Sequence, residues 1–257
     1  MIALAYKQKQ HDMNDTTGIE KGVLRLEDAA YPENLKTILN KQTPEELYFV
    51  GNLSLLGKAG VGFCGSRNAS EKGLETAKDC AEQVAKSDAT VISGYASGVD
   101  MMAHYTALKS GGATIIVLPE GIDHFRVKKD LRDIWDWSRV LVLSQFKPNE
   151  IWQAYRAMNR NQVIIALSKA MIVIEAQEKG GTIEAGKSAL KLHMPLFVAE
   201  YEDMACTPGN SVLLEMGAFK LKKNKNEGRA QLSSLFDTMA NFSYKNPFSN
   251  QNQLNLI

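Results

Sequence analysis

The chain has 257 residues, 44% of them hydrophobic, enough to bury the core of one large α/β domain with or without a small appendage. Its 30 basic and 29 acidic residues leave a net charge of +1, so bulk electrostatics marks no nucleic-acid binder and any anion site must be a local patch. No apolar run approaches the roughly 18 residues of a membrane span. The widely spaced Cys64, Cys80 and Cys206 read as reduced thiols of a cytoplasmic protein, neither a disulfide frame nor a metal site.

In chain order, residues 1–18 are polar and irregular and read as a loose leader, with no signal-peptide core. Residues 19–57 form an N-terminal extension packed on the core. There, Leu35, Ile38 and Leu39 share a helical face that Pro44 stops, and Leu47, Tyr48, Val50 and the Gly51-Asn52 turn predict a short strand and hairpin. From 58 to 241 the main domain alternates. Apolar, β-rich runs fall near 60–64, 89–93, 113–118, 139–144, 170–175 and 195–199. Helix-period segments fall near 71–87, 99–110, 127–137, 149–167 and 182–193, with a further helix over about 228–240. Near-continuous runs such as Thr114-Ile115-Ile116-Val117-Leu118 suit strands buried on both faces. The expected fold is α/β: a doubly wound, mostly parallel sheet with helices on both faces and sites at the carboxyl ends of its strands. Residues 242–257 form an Asn/Gln-rich tail, in which Leu254, Leu256 and Ile257 offer a docking element.

Four turns stand at matching strand ends. Gly65-Ser66-Arg67 breaks off the first run and leads into a helix. Such a turn can cradle a phosphate on open N–H groups, with Arg67 as a clamp, but glycine turns between strand and helix are also common. Ser93-Gly94 opens the second turn, which runs to Gly98-Val99-Asp100. Asp100 and His104 share a helix face, and the plainer reading, a helix-start acid with a packed histidine, is preferred to an acid–imidazole pair. The third turn, Gly121 to His124, precedes Arg126, Lys128 and Lys129, equally a phosphate contact or a solvated helix start. The fourth carries Lys179, Gly180, Gly181 and Thr182 at a helix start. Glu184, in that first turn, is better read as a partner of the helix dipole than as a general base. Arg160-Asn161-Gln162 interrupts a helix beside the apolar run Val163 to Leu167. A charge so placed needs a partner, either a structural carboxylate or a bound anion.

Taken together, the motifs resemble the DNA-processing protein A family (DprA, also called Smf). The resemblance covers roughly residues 30 to 220. In order it rests on Tyr31-Pro32, Gly51-Asn52, Gly65-Ser66-Arg67, Ser93-Gly94 with Gly98-Val99-Asp100, Arg160-Asn161 with Leu167-Ser168, Glu175-Ala176 with Lys179 and Gly181-Thr182, and Gly209-Asn210-Ser211. It implies an extended Rossmann-like domain over 58–241 that binds single-stranded DNA and not a dinucleotide. It further implies a bacterial, cytoplasmic homodimer that protects incoming strands in natural transformation and loads a RecA-type recombinase, with no catalytic residue, cofactor or metal and no membrane partner. The DNA- and phosphate-binding residues so expected are Gly65, Ser66, Arg67, Gly94, Arg160, Asn161, Lys179, Gly181 and Thr182, aided by a basic loop at Lys220, Lys222, Lys223 and Lys225. Aromatic stacking would come from Tyr95, Phe125 or Tyr155. Four positions depart from the family pattern: Ser97 and Gln162 where arginines are usual, Gly180 for a serine and Ala185 for a threonine. The winged-helix domain of many members and their N-terminal helical domain are expected to be missing.

A second resemblance, weaker in spacing, is to nucleotide phosphoribohydrolases resembling lysine decarboxylases. It rests on Gly180-Gly181-Thr182 and Glu184, and implies a nucleotide-recognising enzyme or sensor in which Arg160 binds phosphate and Glu184 assists glycosidic cleavage. A scaffold or interaction role, resting on the tail, is the third reading.

Overall fold

A computed structural model describes residues 18–224 and 227–244. The expected leader therefore lies almost wholly outside the described residues, as do Lys225 and the docking residues of the tail. The first elements are β1 (Lys21–Arg25), α1 (Glu33–Leu39), β2 (Glu46–Gly51), β3 (Gly60–Cys64), α2 (Glu71–Lys86), β4 (Thr90–Ser93), α3 (Val99–Lys109) and β5 (Thr114–Val117). Then come β6 (Val140–Ser144), α4 (Ala154–Leu167), β7 (Ala170–Val173), α5 (Gly181–Lys191), β8 (Leu196–Ala199), α6 (Pro208–Glu215), β9 (Phe219–Leu221) and α7 (Ser233–Asn241).

The strands make one sheet in the order β1-β2-β6-β5-β4-β3-β7-β8-β9. From β6 to β9 every pairing is parallel, with Val61 opposite Val91 and Phe63 opposite Ile172. Of these, β3 to β8 are buried on both faces because both carry helices, while the edge strand β9 is largely exposed. Val61, Phe63, Val91 and Ile172 pack with α2, α3 and α7, while Ile115, Val117, Leu141 and Val173 pack with α1, α4, α5 and α6. The chain winds outward from β3 to β6, then returns through α4 to lay β7 on the other side of β3. The switch point is therefore the crevice between the carboxyl ends of β3 and β7.

Four local expectations need correction. The strand at Leu47–Val50 does form, but its hairpin partner precedes it: β1 pairs antiparallel with β2, and β2 with β6, so the extension continues the main sheet. After it, Asn52 caps a 3₁₀ turn by accepting from the Ser54 amide, and no hairpin follows. The helix expected over 127–137 is replaced by 3₁₀ turns at Lys129–Ile134 and Trp137–Arg139. Its apolar residues instead build an aromatic lid over β5 and β6. Phe125 lies 5.7 Å from Trp135, and Trp135 meets Trp137 edge-on at 5.1 Å. The helix expected from 149 starts only at Ala154, because the carbonyls of Pro148 and Glu150 are taken by the amides of Asp123 and Gly121. The final helix likewise starts late, at Ser233, after the chain bridges Lys223 to Ala230.

Candidate functional site

The crevice at the switch point encloses about 280 Å³. Its floor is the end of β3, where Gly65-Ser66-Arg67 turns toward α2. The second turn locks onto the first. Gly98 has a φ of +74°, and a Cβ there would stand 2.3 Å from the Ser66 carbonyl, which accepts from the Val99 amide at 3.2 Å. Gly94 is required for a different reason. The Arg160 guanidinium lies over it, and an added Cβ would meet Nη1 at 2.2 Å.

Arg160 does not interrupt a helix, since α4 runs unbroken through it. It is only 7% exposed, pointing inward from α4. Nη1 donates to the Val117 carbonyl at 2.6 Å and Nε to Asn161 Oδ1 at 3.2 Å. Its nearest charge complement is Asp100, also buried, without a direct ion pair between them. Burial pushes the Asp100 carboxyl up from its ordinary range, while Arg160 and then the Ala96 amide oppose that. Burial likewise lowers the guanidinium from its usual value, and Asp100 opposes it. The partner that sequence reasoning left open is thus a carbonyl plus a nearby carboxylate, with the guanidinium still bordering the crevice.

The two remaining cations are held differently. Arg67 and Lys179 are exposed at the rim and have no hydrogen-bond or ion-pair partner among the described residues. Between them, Gly180 caps α5, so Gly181 and Thr182 present the first turn of that helix to the crevice. Cys64 sits below, and burial pushes its thiol up to about 12, which keeps it a neutral lining group.

The structure brings Gly65, Ser66, Arg67, Gly94, Arg160, Asn161, Lys179, Gly181 and Thr182 to this one crevice. Glu184 is outside its lining, exposed and paired with Lys187 at 3.2 Å. The carboxylates that do line it are Asp100 and Glu175. Glu175 is engaged at the start of α2, accepting from the Ser70 amide at 2.9 Å and from the Ser70 hydroxyl. His104 is a packed histidine, its Nε2 against the Gly94 carbonyl and its Nδ1 2.6 Å from the Thr114 hydroxyl. Burial lowers its pKa to about 4. Asn210 has a structural role that the sequence did not disclose. Fully buried, it accepts from the Ala176 amide at 2.7 Å and donates to the Ile174 and Ala199 carbonyls at 2.8 Å each, tying the ends of β7 and β8.

The basic loop is less available than its composition suggested. Lys220 pairs with Glu200 at 2.6 Å and Lys222 approaches the same carboxylate at 3.8 Å. Tyr95 and Phe125 pack against each other at 5.3 Å with their rings tilted by 41°, while Tyr155 is exposed.

A family model described as DNA recombination-mediator protein A matches residues 22–230. The DNA processing protein DprA of Streptococcus pneumoniae is 31% identical over 221 residues, which is 84% of this chain and 73% of that protein; the chain spans 61% of the Bacillus subtilis DprA. An X-ray structure of DNA processing protein A from S. pneumoniae superposes with a TM-score of 0.73 at 27% identity, covering 91% of this chain and 77% of the other. DNA processing protein A of Helicobacter pylori, whose structure is reported for its single-stranded DNA binding mode, gives a TM-score of 0.67 at 28% identity over 78% and 90%. Among the described residues no helix is long and apolar enough to cross a membrane. A match over nearly the whole sheet, with the glycine turns and Arg160 gathered at its switch point, places the chain in the DNA recombination-mediator protein A family.

Proposed function

We propose that this chain binds single-stranded DNA in the switch-point crevice and assists recombination after DNA uptake by passing the strand to a RecA-type recombinase, acting as a cytoplasmic homodimer without catalysis of its own. The observation that carries the reading is the pair of rim cations, Arg67 and Lys179, without partners among the described residues and flanking a helix start above the buried guanidinium of Arg160. A phosphate there meets charge from three sides and open amides from one. Family membership and the reported strand binding of the H. pylori relative support the choice of polymer.

Strand binding is tested by fluorescence anisotropy with labelled oligo-dT across a salt series. Binding should weaken steeply as salt rises, because each phosphate contact releases counterions. Arg67→Ala should weaken it about tenfold and flatten the salt slope by about one ion. Unchanged binding by Arg67→Ala would move the site elsewhere, and no binding by the wild-type chain would remove the function. Recombinase loading is read separately, by whether the chain speeds assembly of a RecA-type filament on strands coated with single-strand-binding protein. Light scattering at graded concentrations reads the homodimer.

A further inference from the structure

Beside the crevice, the third turn opens a second recess of about 380 Å³, within the size range of small-ligand sites. Arg67, Ala96 and Arg160 line both cavities, so the two adjoin at these residues. The recess has its own cation. Arg126 is exposed, bonded only to the carbonyls of its own turn at Asp123 and Phe125, and in no ion pair among the described residues. Lys128, by contrast, is already engaged, its amine donating to the Tyr95 carbonyl at 2.6 Å.

Trp152 also lines the recess and stays 47% exposed, near exposed Ile151 and Tyr155 in sequence. A tryptophan left in water forgoes a large burial gain. The two residues before it are held in place. Arg156 donates to the Ile151 carbonyl at 2.7 Å and pairs with Glu150 at 3.0 Å, and the Glu150 carbonyl accepts from Gly121. An exposed indole sharing a recess with a guanidinium in no ion pair among the described residues is complementary to one flat base and one phosphate.

We infer that this recess is a second nucleotide subsite, in which Trp152 stacks an unpaired base and Arg126, with Arg67, holds the phosphate linking it to the nucleotide in the crevice. The inference rests on the strand-binding reading above. It also narrows it, since a base inside a duplex offers no open face to Trp152.

The test compares the full-length chain with Trp152→Leu, Trp152→Phe and Arg126→Ala, against oligo-dT and an abasic oligonucleotide of equal length. Oligo-dT should quench tryptophan emission of the wild-type chain and bind about tenfold tighter than the abasic strand. Trp152→Leu should lose both the quench and the preference for bases, Trp152→Phe should restore the preference, and Arg126→Ala should weaken both strands alike, all at unchanged Tm. Equal binding of both strands by the wild type, or a base preference intact in Trp152→Leu, overturns the subsite while leaving strand binding in place. Absence of binding to either strand overturns the subsite together with the function.

Discussion

Basic residues gather in two places, and they differ in how far their charge is already matched. Around β9, Lys220 and Lys222 converge on Glu200, and Arg229 is matched by Asp79 at 2.6 Å and Glu82 at 3.1 Å. At the switch point, Arg67 and Lys179 have no partner among the described residues, and Arg160 is buried beneath them. The sequence shows lysines most densely at the first place, yet the geometry favours the second. With a net charge of only +1, what distinguishes an anion site is which cations are left unmatched and how firmly they are placed.

The strongest test of this contrast removes the buried cation. Arg160→Ala leaves the Val117 carbonyl and the Asp100 carboxylate uncompensated, and should cost about 3 kcal/mol in denaturant melts and abolish oligonucleotide binding. A variant of wild-type stability would show that the buried guanidinium is not part of the framework.

The next test is the pH response of the packed histidine under Gly94. The unfolded chain takes up the His104 proton near pH 6.5, the folded chain only near 4. The stability contributed by neutral His104 is therefore complete above pH 6.5 and declines as pH falls toward 4, by up to about 3 kcal/mol. The raised Asp100 carboxyl acts in the opposite sense, favouring the fold at low pH. Comparing His104→Gln with the wild-type chain cancels that term, so the variant should show a flatter stability profile between pH 6.5 and 4. Parallel profiles for the two chains would place the titration elsewhere.

Smaller effects sharpen the comparison at its two ends. Lys179→Ala should weaken oligo-dT binding about fivefold with Tm unchanged, since an exposed cation contributes to the ligand and not to the fold. Lys220→Ala and Lys222→Ala should each leave affinity within about twofold, because both lie against Glu200, which offsets one of their two charges. A large loss from either lysine, measured by the same anisotropy titration, would reverse the assignment of the two regions.

Much of this was legible in the sequence, for identifiable reasons. Runs such as Thr114 to Val117 and Val140 to Ser144 are apolar on both faces, and only a strand between two helical layers needs that. The glycine turns mark where backbones meet, and all nine expected site residues reach one crevice because each lies just beyond a parallel strand or on α4 above it. The failures arose where tertiary contact overrode local period. Trp135 and Trp137 fall within the expected helix over 127–137, but they pack with Phe125 as a lid. The apolar residues Ile151, Trp152 and Tyr155 fall in the helix expected from 149, yet they are exposed. Asn210 gave no periodic signal because its three bonds go to backbone groups 11 to 36 residues away.

The bond from the Val99 amide to the Ser66 carbonyl, with the Val99 side chain filling the space over Gly65, makes the first two turns one mechanical unit. Neither can open without exposing the start of α3, so the amides of both should exchange with solvent together. If a phosphate binds there as proposed, it orders exposed side chains such as Arg67 and Lys179 but not the backbone of these two turns, which lowers the entropy lost on binding.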